Sequence, residues 1–207
     1  MMQDILLIGK RILSENSPIV LSSLPDENWR ETWEPKGGHW EYKDGYLIGS
    51  EPGNCGGILL SKQYFEKDVM LSFTAASVLP ATRDVNAVYC TTWDEETNYL
   101  KSAYISGVGG WYEDKCGIES FPEDDLRALN TLYHYEPGKE VRITTGAIGG
   151  HNFLVVDGVL VQELIAPNPI CGGHVGFSPY STMLKIKDIE VREICWEERI
   201  QIYEPEF

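Results

Sequence analysis

Short runs of Val, Ile, Thr and aromatic residues are cut at close intervals by Gly, Pro, Asn and Asp along this chain. That leaves little room for anything but strands joined by turns. The breaks fall at Pro35-Lys36-Gly37-Gly38, Asp44-Gly45, Pro52-Gly53-Asn54, Gly107 to Gly110, Pro137-Gly138, Gly149-Gly150 and Asp157-Gly158. Many short strands with regular turns predict a sandwich or barrel. At 207 residues, with no linker, low-complexity tract or internal repeat, residues 1–207 are expected to form one β-sandwich domain.

Alternation sets the faces. Val69, Leu71, Phe73 and Ala75 share one side of a strand, with Met70, Ser72 and Thr74 on the other. Val141 and Ile143 likewise oppose Arg142 and Thr144. The pairs Asp44-Gly45 and Asp157-Gly158 are strong hairpin signals. In the last strand Leu184 and Ile186 have one parity and Ile189 and Val191 the other, so one extra residue near Lys187-Asp188, a β-bulge, is predicted. One short helix is expected from Ser120: Ser120 and Glu123 match a capping box, and Leu126, Leu129 and Tyr133 follow at helical spacing.

Composition narrows the partners. A formal net charge of −15 without a Lys/Arg cluster argues against nucleic acid and anionic membrane. Six Trp and eleven Tyr suit strands, and their flat faces also suit sugar rings. The five cysteines are an odd number without a Cys-x-x-Cys pair, which argues against a zinc ribbon. The apolar patch from Ile5 to Ile8 is too short for a signal-peptide core, and no stretch approaches a membrane span. The expected setting is the cytoplasm, with reduced thiols.

Two segments carry a resemblance. One is His39-Trp40-Glu41-Tyr42-Lys43-Asp44-Gly45-Tyr46-Leu47 with Gly57-Ile58-Leu59-Leu60-Ser61 and Tyr64 to Val69. The other runs from Tyr135-Glu136-Pro137-Gly138 through Phe153 to Gly158, then Gly173-His174-Val175-Gly176-Phe177 and Ile186 to Val191. Together they resemble bacterial concanavalin-A-like jelly rolls, the YesU-like family in particular, and more loosely the keto-disaccharide hydrolase domains. The resemblance spans roughly residues 29–194 and implies an all-β jelly-roll sandwich of two antiparallel sheets with a sugar-related role. It is weaker over Val85 to Glu119, where it implies that a ligand site should lie.

The Glu-x-Asp-x-x-Glu run of laminarinase-type glycosidases of this fold is missing, since Glu123-x-Asp125 ends at Ala128. The segment from Trp111 to Glu119, read as a strand, puts Trp111, Glu113, Lys115 and Glu119 on one face. That is an aromatic platform with two carboxylates and an ammonium, and Glu113 or Glu119 could serve as general acid or base if burial raised its pKa. A solvated strand face with an incidental ion pair is the plainer alternative. His134 is the histidine best placed to fold over the same cleft. Trp93, at a hairpin tip, and Tyr104, on the next strand, are candidate sugar-stacking residues, with a structural role equally open. The four histidines have no metal spacing, so no metal or cofactor is expected; a structural calcium at Asp188 is the exception kept open. Three readings remain: an intracellular enzyme hydrolysing or eliminating a small sugar or oligosaccharide, a non-catalytic carbohydrate-binding protein, and a structural protein with a vestigial cleft. Oligomeric state is not legible.

Overall fold

The computed structural model describes residues 3–51, 53, 57–111, 114–122 and 126–199. In chain order its first strands are β1 (Ile5–Leu7), β2 (Lys10–Ile12), β3 (Ile19–Ser23), β4 (Trp33–Pro35), β5 (His39–Lys43) and β6 (Tyr46–Glu51). Next come β7 (Leu59–Ser61), β8 (Val69–Ser77), β9 (Val85–Asp94), β10 (Tyr99–Gly110), β11 (Lys115–Phe121) and β12 (Arg127–Asn130). The last are β13 (Val141–Ile148), β14 (His151–Val156), β15 (Val159–Ile165), β16 (His174–Phe177), β17 (Thr182–Glu193) and β18 (Trp196–Glu198).

These strands build two large antiparallel sheets and one small one. The seven-stranded sheet runs β12-β11-β10-β9-β16-β7-β4. The eight-stranded sheet runs β15-β14-β13-β8-β17-β6-β5, with β3 also paired to β17, and β1, β2 and β18 form the third sheet. The protein is therefore the all-β sandwich that the turn pattern predicts.

The core lies between the two large sheets. Val69, Leu71, Phe73 and Ala75 all enter it, as do Val141 and Ile143. Phe177 packs edge-on to Phe73 with ring centroids 5.0 Å apart and lies 5.5 Å from Trp33. Asp157 and Gly158, at φ 49° and 82°, make the left-handed turn of the β14–β15 hairpin, and Asp44 and Gly45 repeat it between β5 and β6. The pairing of β17 with β8 slips between Lys187 and Glu190, and Asp188 takes φ 51°. This bulge returns Ile189 and Val191 to the core beside Leu184 and Ile186. Asp188 itself is exposed there.

The outer faces differ. On the eight-stranded sheet, Met70, Ile148, Phe153 and Val155 are buried under Ile5, Leu7 and Ile12 of the small sheet. On the seven-stranded sheet a second apolar cluster, Ile58, Leu60, Val88, Leu100 and Ala103, has Trp93, Ile105 and Phe121 packed on it.

Two expectations are corrected. The helix from Ser120 is instead a pair of strands: Ser120 and Phe121 belong to β11 and Arg127 to Asn130 to β12. The Ser120 N–H bonds the Leu126 carbonyl at 3.0 Å, and Glu119 sits opposite Arg127 in register. A few residues of helix are marginal alone, and completing the sheet edge satisfies the same backbone groups better. Glu123, Asp124 and Asp125, which carried the capping signal, lie outside the described residues. The stretch from Gly107 to Gly110 is the end of strand β10, not a turn. Here glycine permits close approach, since a Cβ on Gly107 would fall 2.2 Å from the Val85 carbonyl oxygen.

Candidate functional site

The outer face of the seven-stranded sheet holds a cleft of about 530 Å³. Its polar lining includes Arg83, Asp84, Asn86, Lys115, Glu119 and Arg127; Tyr99, Trp111, Phe121 and Tyr180 supply aromatic surface. Arg83 and Asp84 come from the loop before β9, and Trp111 follows β10.

Glu119 is the best-anchored group. Its position on β11 faces Arg127 directly across the β11–β12 ladder, and the Arg127 Nε donates to Glu119 Oε2 at 2.7 Å. The Trp111 indole N–H donates to the same oxygen at 2.8 Å. Such charge-assisted bonds hold the carboxylate and the indole in fixed relation. Cys116 and Ile118 alternate into the core from the same strand, which fixes Glu119 and Lys115 toward the cleft.

Asp84 is the second carboxylate of the cleft and is held differently. Its backbone N–H bonds the Gly109 carbonyl at 3.0 Å. Its side chain is 10% exposed, 3.5 Å from Arg83 Nε and 3.5 Å from Asn86 Nδ2. Burial pushes its pKa up to about 6; Arg83 and Asn86 pull the other way, and the charge of Glu119 adds to the rise. Gly110 makes room, since a Cβ there would lie 2.9 Å from Asp84 Oδ1. Asn86 Oδ1, also buried, has no hydrogen-bond partner in the protein. A buried amide oxygen left without a partner is open to a hydrogen bond from a ligand or water in the cleft.

The backbone here is unusual. Asp84, Trp111 and Asp114 have φ of 58°, 54° and 50°. A left-handed conformation is tolerable for Asp but an outlier for Trp, and such residues gather at ligand sites. Chemically, the cleft holds one carboxyl group that keeps a proton up to about pH 6 and one ion-paired carboxylate.

The predicted residues divide. Trp111, Lys115 and Glu119 line one cleft, although Trp111 reaches it from a turn and not by strand alternation. Glu113 lies outside the described residues. Tyr104 is corrected: it is fully buried in the core, 5.6 Å ring to ring from Tyr89, and its hydroxyl accepts the Ile170 N–H. Register shifts between Leu100 and Tyr104 turn it to the core side, which simple alternation does not foresee. His134 is corrected too: it stands exposed on a loop, paired with Asp114 at 2.5 Å, and is absent from the cleft lining. Trp93 is the penultimate residue of β9 and lines a separate, smaller cleft.

Asp84, Arg83, Asn86 and Arg127 were not singled out from the sequence. Asp84 and Asn86 do alternate with the buried Val85 and Ala87, a polar face that signals an exposed sheet surface. Their convergence on Glu119 depends on strand order, which no local pattern contains.

No protein-family model matches the chain, and no curated protein matches its sequence. Solved structures do. Carbohydrate binding module CBM66 from Bacillus subtilis is 16% identical with a TM-score of 0.63, over 78% of this chain and 95% of that one. A protein of unknown function with a galectin-like fold, also from Bacillus subtilis, is 11% identical with a TM-score of 0.65, over 86% and 98%. The exoplasmic/lumenal domain of VIP36, in its Ca2+/Man-bound form, is 12% identical with a TM-score of 0.58, over 94% and 100%. At such identities the likeness is one of fold, and the chain has the galectin/concanavalin-A-like jelly roll.

Proposed function

We propose that the cleft between Trp111 and Asp84 binds a carbohydrate and that Asp84 and Glu119 act on it as an acid–base pair, by hydrolysis or elimination. The observation that carries this reading is the pairing, in one 530 Å³ cavity, of a carboxyl group raised to about pH 6 with a carboxylate fixed by Trp111 and Arg127. Burial that lifts one carboxyl group toward neutral pH, as at Asp84, is a common device of acid–base catalysts. The aromatic rim of Tyr99, Trp111, Phe121 and Tyr180 adds the flat apolar surface that sugar rings prefer. Support also comes from the company the fold keeps, a carbohydrate-binding module and a domain in a mannose-bound form. Placement in the YesU-like group belongs to the same proposal.

A second reading is binding without turnover. Its motive is specific: Glu119 Oε2 already accepts two hydrogen bonds from the protein, as a carboxylate that only orients a ligand would.

Calorimetric titration and product assays on neutral and acidic oligosaccharides separate the two. The catalytic reading expects Glu119→Gln to bind nearly as well as the parent while turning over about 10²–10⁴ more slowly. Binding by the parent with no product formed selects the second reading. No binding of any sugar at millimolar concentration overturns both.

A further inference from the structure

We propose that the smaller cleft lined by Trp93 is a second sugar subsite, so that the ligand is an oligosaccharide lying across the sheet and not a single sugar. This rests on the carbohydrate reading above and extends it. The smaller cleft, about 330 Å³, opens on the same face of the seven-stranded sheet and is lined by Lys36, Tyr64, Trp93 and His174 among others. The two cavities share a floor. Leu100 lines the first and Trp93 the second, and these residues are register partners across β9 and β10. Ile58 of the first and Leu60 of the second belong, with Leu100, to one apolar cluster, against which Trp93 and Phe121 both pack.

Aromatic rings mark the path between the cavities. Phe121 meets Tyr99 at 5.5 Å, edge to face, and Tyr99 stays 42% exposed at the rim of the first cleft. Trp93 stands one strand further, with the Lys36 ammonium 5.7 Å from its ring centre. Beyond it Tyr64 is 49% exposed and meets His174 edge-on at 5.4 Å. Partly exposed rings spaced across strands about 4.8 Å apart offer successive stacking surfaces to a chain of rings.

The polar groups of the second cleft are fixed in place. The Lys36 ammonium bonds Glu34 at 3.0 Å and Glu95 at 2.8 Å. His174 donates its Nδ1 proton to the Ser61 carbonyl at 2.7 Å, which leaves Nε2 of the neutral ring as an acceptor. A sugar hydroxyl, both donor and acceptor, can use either kind of group. Tyr64 is the residue that tests this best, because it is exposed and its removal leaves the core intact.

The experiment is calorimetric titration of the full chain with homologous series of one to six residues: xylo-, gluco- and fructo-oligosaccharides and oligouronides. The parent should bind longer members more tightly than the monosaccharide. Tyr64→Ala should erase that gain, weakening the longest ligand on the order of tenfold while sparing the shortest. Trp111→Ala should weaken short and long ligands alike. An affinity independent of length in the parent, or a Tyr64→Ala effect that is nil or equal at every length, overturns the second subsite and leaves the first cleft standing. If no member of any series binds, the carbohydrate reading falls, and the subsite with it.

Discussion

The two large sheets turn very different outer faces to their surroundings. Over the eight-stranded sheet, β1, β2 and β18 form a cover whose Ile5, Leu7 and Ile12 bury Met70, Ile148, Phe153 and Val155. Polar groups join the two layers as well: His151, 2% exposed, sits between Lys10 (3.2 Å) and Glu163 (2.7 Å), and Glu163 also accepts the Ile8 N–H. Over the seven-stranded sheet no third layer is present among the described residues. There the apolar cluster is flanked by two clefts, a desolvated carboxyl group and an unpartnered amide oxygen. One face is closed by a packed apolar layer; the other leaves Asp84 and Asn86 beside a cleft that a ligand can enter.

The largest effect that would sharpen this contrast is on the covered face. Phe153 is fully buried there, and Phe153→Ala should cost about 3–5 kcal/mol in chemical unfolding while leaving sugar titrations unchanged in the fraction that remains folded. A loss of ligand affinity as large as the loss of stability would break the separation of the two faces.

A smaller effect of opposite sign is expected on the open face. Asp84 binds its proton more tightly folded, at about 6, than an unfolded aspartate does near 4, so between those values the native state holds more protons. Stability therefore falls as pH rises through that window, and above about pH 6 the full penalty of about 3 kcal/mol applies. Asp84→Asn removes the charge and keeps the shape, and Asn tolerates the left-handed backbone. Thermal unfolding should show the variant more stable than the parent by several degrees at pH 7–8 and equal to it near pH 4. Equal melting temperatures at both pH values would mean that Asp84 is not held in a dry site.

The sequence carried the strands better than the site. Hairpins at Asp44-Gly45 and Asp157-Gly158 and the bulge at Asp188 follow from local rules, because a left-handed turn or a parity slip is settled within a few residues. The helix from Ser120 failed for the converse reason: its signal was local, but β11 had an open edge that a strand could complete. Trp111, Lys115 and Glu119 share a cleft because Lys115 and Glu119 are four apart on one strand and Trp111 bonds Glu119 directly. Tyr104 went into the core because the register shifts between Leu100 and Tyr104 change which side faces inward. Asp84 stayed hidden because its desolvation depends on Gly109, Gly110 and the sheet that brings β9 beside β10, none of which an isolated Arg83-Asp84 pair reveals.

The most direct measurement uses the indole N–H signals of the six Trp residues, followed by NMR as oligosaccharide is added. Trp111 lies in the main cleft bonded to Glu119, whereas Trp196 lies on the covering sheet beneath the Lys10 ammonium. The expected result is a saturable shift of the Trp111 signal, lost in Glu119→Ala, with Trp196 unmoved. A shift of Trp196 with Trp111 unchanged, or no shift of either in a sugar that calorimetry shows to bind, would contradict the placement of the site on the open face.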